Sequence, residues 1–295
     1  MCCVLLNIRA AVVSTVFGCL LALSIRATAN DGGIQMGGSP GLLNGHPTVT
    51  MTSEVISMTV TDDKVTVDCQ FVFTNHGPAC TVRMGFPDQG ENAFDPDEEA
   101  DLKQVLKTPP KTTFDSFRSY VEGKACKTEL IRADEEGKYW HTKMVQFPAH
   151  GVLHIRDVYT QKTSGGIANM SKDGSVTGSA ANVAYILHTG ASWHGNIGRT
   201  EVDVNFRGKA ITGPLHVVPL SKVANRPDEQ DKSLPHNPLS GRNVNARSFP
   251  PNTVVWTGPC APKVEGKTLR FVIENWRPKR ADDLQLTYDY KPITP

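Results

Sequence analysis

Apolar side chains recur at every second position through much of this chain, a period that suits a pleated strand with one buried face and does not suit a helix. Ile56, Met58 and Val60 alternate with Ser57, Thr59 and Thr61, and Val65, Val67, Cys69, Phe71 and Phe73 alternate mainly with Lys64, Thr66, Asp68 and Gln70. Asp62-Asp63 turns the first segment into the second. Asn75-His76-Gly77-Pro78 then turns the second into a third that carries Val82, Met84 and Phe86 inward, so the three are expected to form a meander. The period returns at Leu153, Ile155 and Tyr159; at Val202, Val204 and Phe206; at Leu269, Phe271 and Ile273; and at Leu284, Leu286, Tyr288 and Tyr290. The best helical candidate is Asp97 to Lys107, where Leu102, Val105 and Leu106 recur before Pro109-Pro110 stops the chain. Many short strands with turn signals, and no alternation with helices, predict a mainly β fold of antiparallel β-sandwich architecture, in two sandwich-like halves with little helix.

A shift toward Gly, Ser and Ala over Thr163 to Asn182 sets the expected boundary between an N-terminal β-sandwich at 30–165 and a C-terminal β-rich half at 166–295. Within the second half, residues 221–252 carry Pro227, Pro235, Pro238, Pro250 and Pro251 and read as a long polar loop. Residues 1–29 read as a secretory signal peptide: Arg9 supplies positive charge, Ala10 to Ile25 is apolar, and Ala27-Thr28-Ala29 offers small residues for cleavage before Asn30. A membrane anchor is the rival reading, but the apolar run falls short of the roughly 20 residues that span a bilayer. A lipoprotein signal acylated at Cys19 would place the bulky Phe17 where a small residue is usual. The expectation is an exported protein, periplasmic or extracellular, with no membrane span after signal cleavage.

Cleavage removes Cys2, Cys3 and Cys19 and leaves Cys69, Cys80, Cys126 and Cys260. In an oxidising compartment these four permit two disulfides. The alternative is that they serve as small apolar residues, because Cys69 and Cys80 fall on the apolar side of their strands. The 31 basic and 30 acidic residues nearly cancel, and Lys and Arg form no long run, which argues against nucleic acid or an anionic membrane as partner.

One segment goes beyond what alternation requires: Tyr185-Ile186-Leu187-His188-Thr189-Gly190-Ala191-Ser192-Trp193-His194-Gly195-Asn196-Ile197-Gly198. It resembles the signature of a family of secreted bacterial proteins known only as a domain of unknown function. Asn30-Asp31, Phe71-Val72-Phe73-Thr74-Asn75, Phe86-Pro87, Val121-Glu122-Gly123, and Asn275-Trp276 with Pro278, followed by Leu284 and Tyr288, agree in order. The resemblance spans most of the mature chain and departs at Asn196, where Pro is expected. It implies fold extent and export, and no chemistry. The first-half strands are also faintly similar to the vault and inter-α-trypsin β-sandwich domain.

Read from its residues, the segment is a strand entering a glycine-rich turn. It is either a structural corner, with Trp193 covering one end of the core, or a ligand-binding loop with Trp193 as a stacking platform beside His188 and His194. No catalytic constellation assembles elsewhere. Gly37-Gly38-Ser39-Pro40-Gly41 has the letters of a nucleophile elbow without a strand before it, and Ser192 misses the second glycine by one place. His150 and His154 would share a face only on a helix, whereas Gly151 and the Leu153/Ile155 alternation indicate a turn and a strand. The acidic stretch Glu91 to Asp101 lacks a calcium-loop pattern and reads as a solvated face. The expectation is a secreted, non-catalytic β-sandwich protein giving a binding or structural surface in the bacterial envelope or extracellular space, for an unknown ligand or envelope protein and without cofactor or metal. The alternative is a metal-dependent binder or hydrolase centred on the 185–198 loop.

Overall fold

The structure, a computed structural model, describes residues 36–42, 46–89, 109–132, 139–170, 176–223 and 251–290. The stretch read as a signal peptide, the acidic stretch, the helix candidate at Asp97 to Lys107 and residues 224–250 of the polar loop lie outside the described residues. The first strands are β1 (Met36–Gly38), β2 (Gly41–Leu42), β3 (Val49–Val60), β4 (Lys64–Asn75), β5 (Cys80–Gln89), β6 (Ser116–Val121), β7 (Lys124–Cys126), β8 (Glu129–Arg132) and β9 (Tyr139–Phe147). They continue as β10 (Val152–Lys162), β11 (Ser164–Met170), β12 (Val176–Ile186), β13 (Ile197–Phe206), β14 (His216–Pro219), β15 (Thr253–Thr257), β16 (Lys263–Glu265), β17 (Thr268–Trp276) and β18 (Leu284–Tyr290). None of the described helices is long and apolar enough to cross a membrane.

Two sheets result. One runs β16-β17-β13-β3-β4-β10-β6-β7, and the other β14-β15-β18-β12-β1-β5-β9-β8, with β11 beside β12 and β2 beside β5. The mainly β expectation holds, but the sheets are mixed: β1 with β12, β3 with β13, and β14 with β15 are parallel pairs. Parallel neighbours need long crossovers, so they bring together strands distant in sequence. Strands from before and after residue 165 consequently interleave in both sheets, β3 lying between β4 and β13 and β1 between β5 and β12. The Gly, Ser and Ala stretch around that position forms the β11/β12 antiparallel pair.

The predicted meander also resolves differently. Asp62-Asp63 joins β3 to β4 as a hairpin, but after Asn75 the chain crosses to the opposite sheet, where β5 pairs with β9. Asn75 is fully buried, and its side chain builds this arch: Nδ2 donates to the Pro78 and Pro148 carbonyls at 2.7 and 3.0 Å, and Oδ1 accepts from Gly77 N at 3.0 Å. Those bonds replace the ladder that a hairpin would have used.

Alternation decides which side chains meet between the layers. Val65, Val67, Cys69, Phe71 and Phe73 of β4 are buried against Met84 and Phe86 of β5, Val145 and Phe147 of β9, and Val183 and Tyr185 of β12. Rings interlock across the gap: Phe73 with Phe147 at 6.0 Å, Phe86 with Tyr159 at 5.4 Å and Phe206 with Tyr288 at 5.2 Å between centroids. Burying each such side chain contributes roughly 1.5–3 kcal/mol. In β3 the pairing skips Thr52, and this bulge changes the phase of alternation. Val49 and Met51 point inward before it, and Glu54, Ile56, Met58 and Val60 after it.

The disulfides considered for an exported chain are absent: Cys69, Cys80, Cys126 and Cys260 are all free thiols. Cys69 faces the core from β4, Cys80 opens β5 in the other sheet, Cys126 ends the edge strand β7, and Cys260 follows β15. Held on separate elements of the sandwich, these four thiols have no partner within bonding reach among the described residues.

Candidate functional site

The 185–198 segment links β12 to β13 at one end of the sandwich. β12 ends at Ile186, Leu187 is buried, and a 3-10 turn over His188–Ser192 closes with the Gly190 and Trp193 amides donating to the carbonyls of Leu187 and Gly190. Trp193 is buried under the sheets, its ring centroid 4.4 Å from that of Phe73, and its Nε1 donates to the Pro40 carbonyl at 2.8 Å. This side of the segment is a core corner, so the Trp193 indole offers no free stacking face. Ser192 Oγ donates to the Thr189 carbonyl and accepts from Leu42 N, both at 2.8 Å. Arg277 holds the outside, its Nη2 donating to the Ala191 carbonyl at 2.8 Å and its Nη1 to that of Gly195 at 3.2 Å.

Two glycines of the signature acquire reasons here. Gly195 adopts φ of 71°, the left-handed conformation that glycine takes without penalty. Gly198 lies against the β3 bulge, where an added Cβ would come within 2.4 Å of the Thr52 carbonyl oxygen.

The outer side of the corner carries a different arrangement. Asp283, between the 3-10 turn Arg280–Asp282 and β18, accepts from Leu187 N at 2.8 Å and His188 N at 3.0 Å on Oδ1, while Oδ2 lies 2.7 Å from His188 Nδ1. The His188 side chain is 29% exposed and that of Asp283 11%. A carboxylate on Nδ1 orients the imidazole and leaves Nε2 as the ring atom that can accept a proton, a hydrogen bond or a metal from outside. His194 is exposed, its amide donating to the Val49 carbonyl, and its ring makes no hydrogen bond among the described residues. The structure thus joins His188 to a carboxylate and leaves His194 apart. Among the described residues no group of three or more His, Cys, Asp or Glu side chains could hold a metal. His150 occupies the turn before β10, and His154 stands on the outer face of β10 beside Glu122.

Sequence reasoning missed three polar clusters inside the sandwich. In the first, Glu54 accepts from Ser39 Oγ at 2.7 Å and Thr200 Oγ1 at 2.8 Å, and Trp276 Nε1 donates to Thr200 Oγ1 at 2.7 Å. Burial pushes the Glu54 carboxyl from 4.5 up to about 7, against the lowering effect of those hydrogen bonds. A short strand, β1, does precede Ser39, yet this hydroxyl is buried against a carboxylate, an arrangement without the histidine that a nucleophile elbow needs. In the second cluster, Asp88 meets His141 Nε2 at 3.0 Å and accepts from Thr112 Oγ1 at 2.6 Å and from the Thr113 hydroxyl. The rings of Phe117 and Phe114 lie nearly parallel to His141 at 4.2 and 5.5 Å. In the third, Lys143 Nζ contacts Asp157 Oδ1 and Ser119 Oγ, each at 2.6 Å. The signal for all three was parity: Glu54 shares the inward phase of Ile56, Asp88 that of Phe86, and His141 and Lys143 that of Val145 and Phe147.

No protein-family model matches the chain, and no curated protein matches it in sequence. Among solved structures, a protein of Legionella pneumophila whose name proposes nutrient binding is similar over 88% of this chain and 72% of its own, with 17% identity and a TM-score of 0.58, which shows a shared fold. Yeast LTA4 hydrolase aligns at a TM-score of 0.38 and 9% identity, over 84% of this chain and 30% of its own. An M1 zinc metallopeptidase of Deinococcus radiodurans aligns at 0.35 and 9%, over 83% of this chain and 43% of its own. These two weaker likenesses carry no statement about chemistry.

Proposed function

We propose that this chain is a secreted, non-catalytic β-sandwich protein that presents a binding surface in the bacterial envelope or extracellular space. The observation that carries the reading is the division of labour in the 185–198 corner. Trp193, Ser192 and the glycines are consumed in building the end of the core, and His188 is a partly exposed polar group of that corner whose ring a carboxylate orients. One oriented imidazole with a carboxylate can select a small polar or anionic ligand, whereas acyl transfer needs a nucleophile that this corner does not place beside it. The fold relative whose name proposes nutrient binding supports a ligand-binding reading, and the signal-like pattern of residues 1–29 supports export.

The test is to express the full chain in an exporting bacterial host, recover it outside the cytoplasm and assay it on ester, peptide and phosphoester model substrates. The expected product begins at Asn30 and turns over none of them faster than a His188→Ala/Asp283→Asn double variant does. Turnover that the double variant loses would replace this reading with a hydrolase centred on His188.

A further inference from the structure

Lys143 on β9 and Asp157 on β10 face each other from opposite sheets, and Nζ lies 2.6 Å from Oδ1 with side-chain exposures of 3% and 0%. Along their strands Lys143 is flanked by His141 and Val145, and Asp157 by Ile155 and Tyr159; the paired neighbours are Met84 for Lys143, and Cys69 and Ser119 for Asp157. All of these are buried. A full ion pair in such a place is an expensive arrangement unless every donor and acceptor is satisfied.

They are not all satisfied. The ammonium has three N–H donors and two acceptors, Ser119 Oγ and Asp157 Oδ1, while Asp157 Oδ2 is buried with no hydrogen-bond partner among the described residues. The unmatched atoms are an oxygen and a proton. Removing one oxygen and two protons as water would convert the pair into a secondary amide with a single N–H, already placed to donate to Ser119 Oγ, and a single carbonyl oxygen. The polar accounting of the pocket fits the condensed product better than the ion pair.

We propose that Lys143 and Asp157 are the site of an intramolecular isopeptide bond that ties the two sheets together. Proton transfer from Nζ to the carboxylate oxygen 2.6 Å away frees the Nζ lone pair. The Nζ lone pair attacks Cγ, the C–N bond forms, and a tetrahedral centre holds both oxygens. Ser119 Oγ accepts the second proton of Nζ and passes it to the departing hydroxyl, so one C–O bond breaks and water leaves. Nothing is oxidised or reduced. Because Lys143 and Asp157 lie on consecutive strands in opposite layers, the bond closes a small covalent loop across the sandwich and leaves the 185–198 corner untouched.

The test is the intact mass of the exported protein, followed by peptide mapping after proteolysis. The expected mass is one water below that of the mature sequence, with a branched peptide joining Lys143 to Asp157. Lys143→Gln should restore the full sequence mass and remove the branched peptide. Asp157→Asn keeps the volume and can still condense; it should lose one ammonia instead, which separates the chemistry from a folding defect. A wild-type mass equal to that of its sequence, with Lys143 and Asp157 in separate linear peptides, overturns the proposal, and so does a water loss that Lys143→Gln retains.

Discussion

Replacing Glu54 with Gln isolates the electrostatic consequence of the β3 bulge. Glu54 is fully buried, hydrogen-bonded to Ser39 and Thr200, and its carboxyl is pushed from 4.5 up to about 7 by desolvation. The folded state therefore binds the proton more tightly than the unfolded chain does. Its stabilising contribution is complete below about 4.5 and is lost as pH rises through about 7. Each tenfold difference in proton affinity between the two states is worth about 1.4 kcal/mol, so the loss across that window is about 3 kcal/mol. Gln cannot ionise, has a similar volume, and can bond both hydroxyls by rotating them. Urea unfolding of wild type and Glu54→Gln at several pH values across the window reads the difference directly. The variant should gain on the wild type by about 3 kcal/mol between the acidic and neutral ends. A difference that stays constant with pH would refute the reasoning, because it would mean that Glu54 titrates alike in the folded and unfolded chains.

Other perturbations have equally specific outcomes. Trp193→Ala removes a buried ring packed on Phe73 and the bond to Pro40, and should cost about 3–5 kcal/mol in thermal or chemical unfolding; an unchanged melting temperature would contradict the corner role. Gly198→Ala must displace the Thr52 carbonyl at the bulge, so a loss of about 1–3 kcal/mol is expected in the same assay. Asp283→Ala strips Leu187 N and His188 N of their acceptor and should destabilise by about 1–3 kcal/mol, whereas His188→Ala, at a partly exposed ring, should cost less. Without reductant, the denatured protein should take up an alkylating reagent on Cys69, Cys80, Cys126 and Cys260, and in the native state Cys69 should react slowest, because burial holds its thiol well above the ordinary range.

The strand content was legible because a sandwich writes its inner face into the sequence at every second residue, and Val65 to Phe73 or Leu284 to Tyr288 needed nothing more. Sheet membership was not legible. Asn75-His76-Gly77-Pro78 has hairpin residues, but the buried Asn75 amide turns them into an arch between layers, and only its tertiary partners reveal that. Parallel neighbours such as β3 and β13 leave no local mark either, since register across so long a crossover depends on the whole core. The phase change at Thr52 was visible, with Val49 and Met51 odd and Ile56 to Val60 even, and it would have placed Glu54 inside. The site was half legible. The glycines and Trp193 marked a corner, but the Asp283 partner of His188 is 95 residues away, and no spacing rule connects them.

The corner builds the core on one side and, in the proposed function, presents His188 for binding on the other. Native and denatured mass spectra of the exported wild type, His188→Ala and Trp193→Ala, each with its melting temperature, test that division most directly. The expected result is a small molecule retained by the wild type and lost by His188→Ala, whose melting temperature stays near the wild-type value, while Trp193→Ala melts far lower. A wild type carrying nothing, or a molecule that His188→Ala still retains, would contradict a binding role for His188.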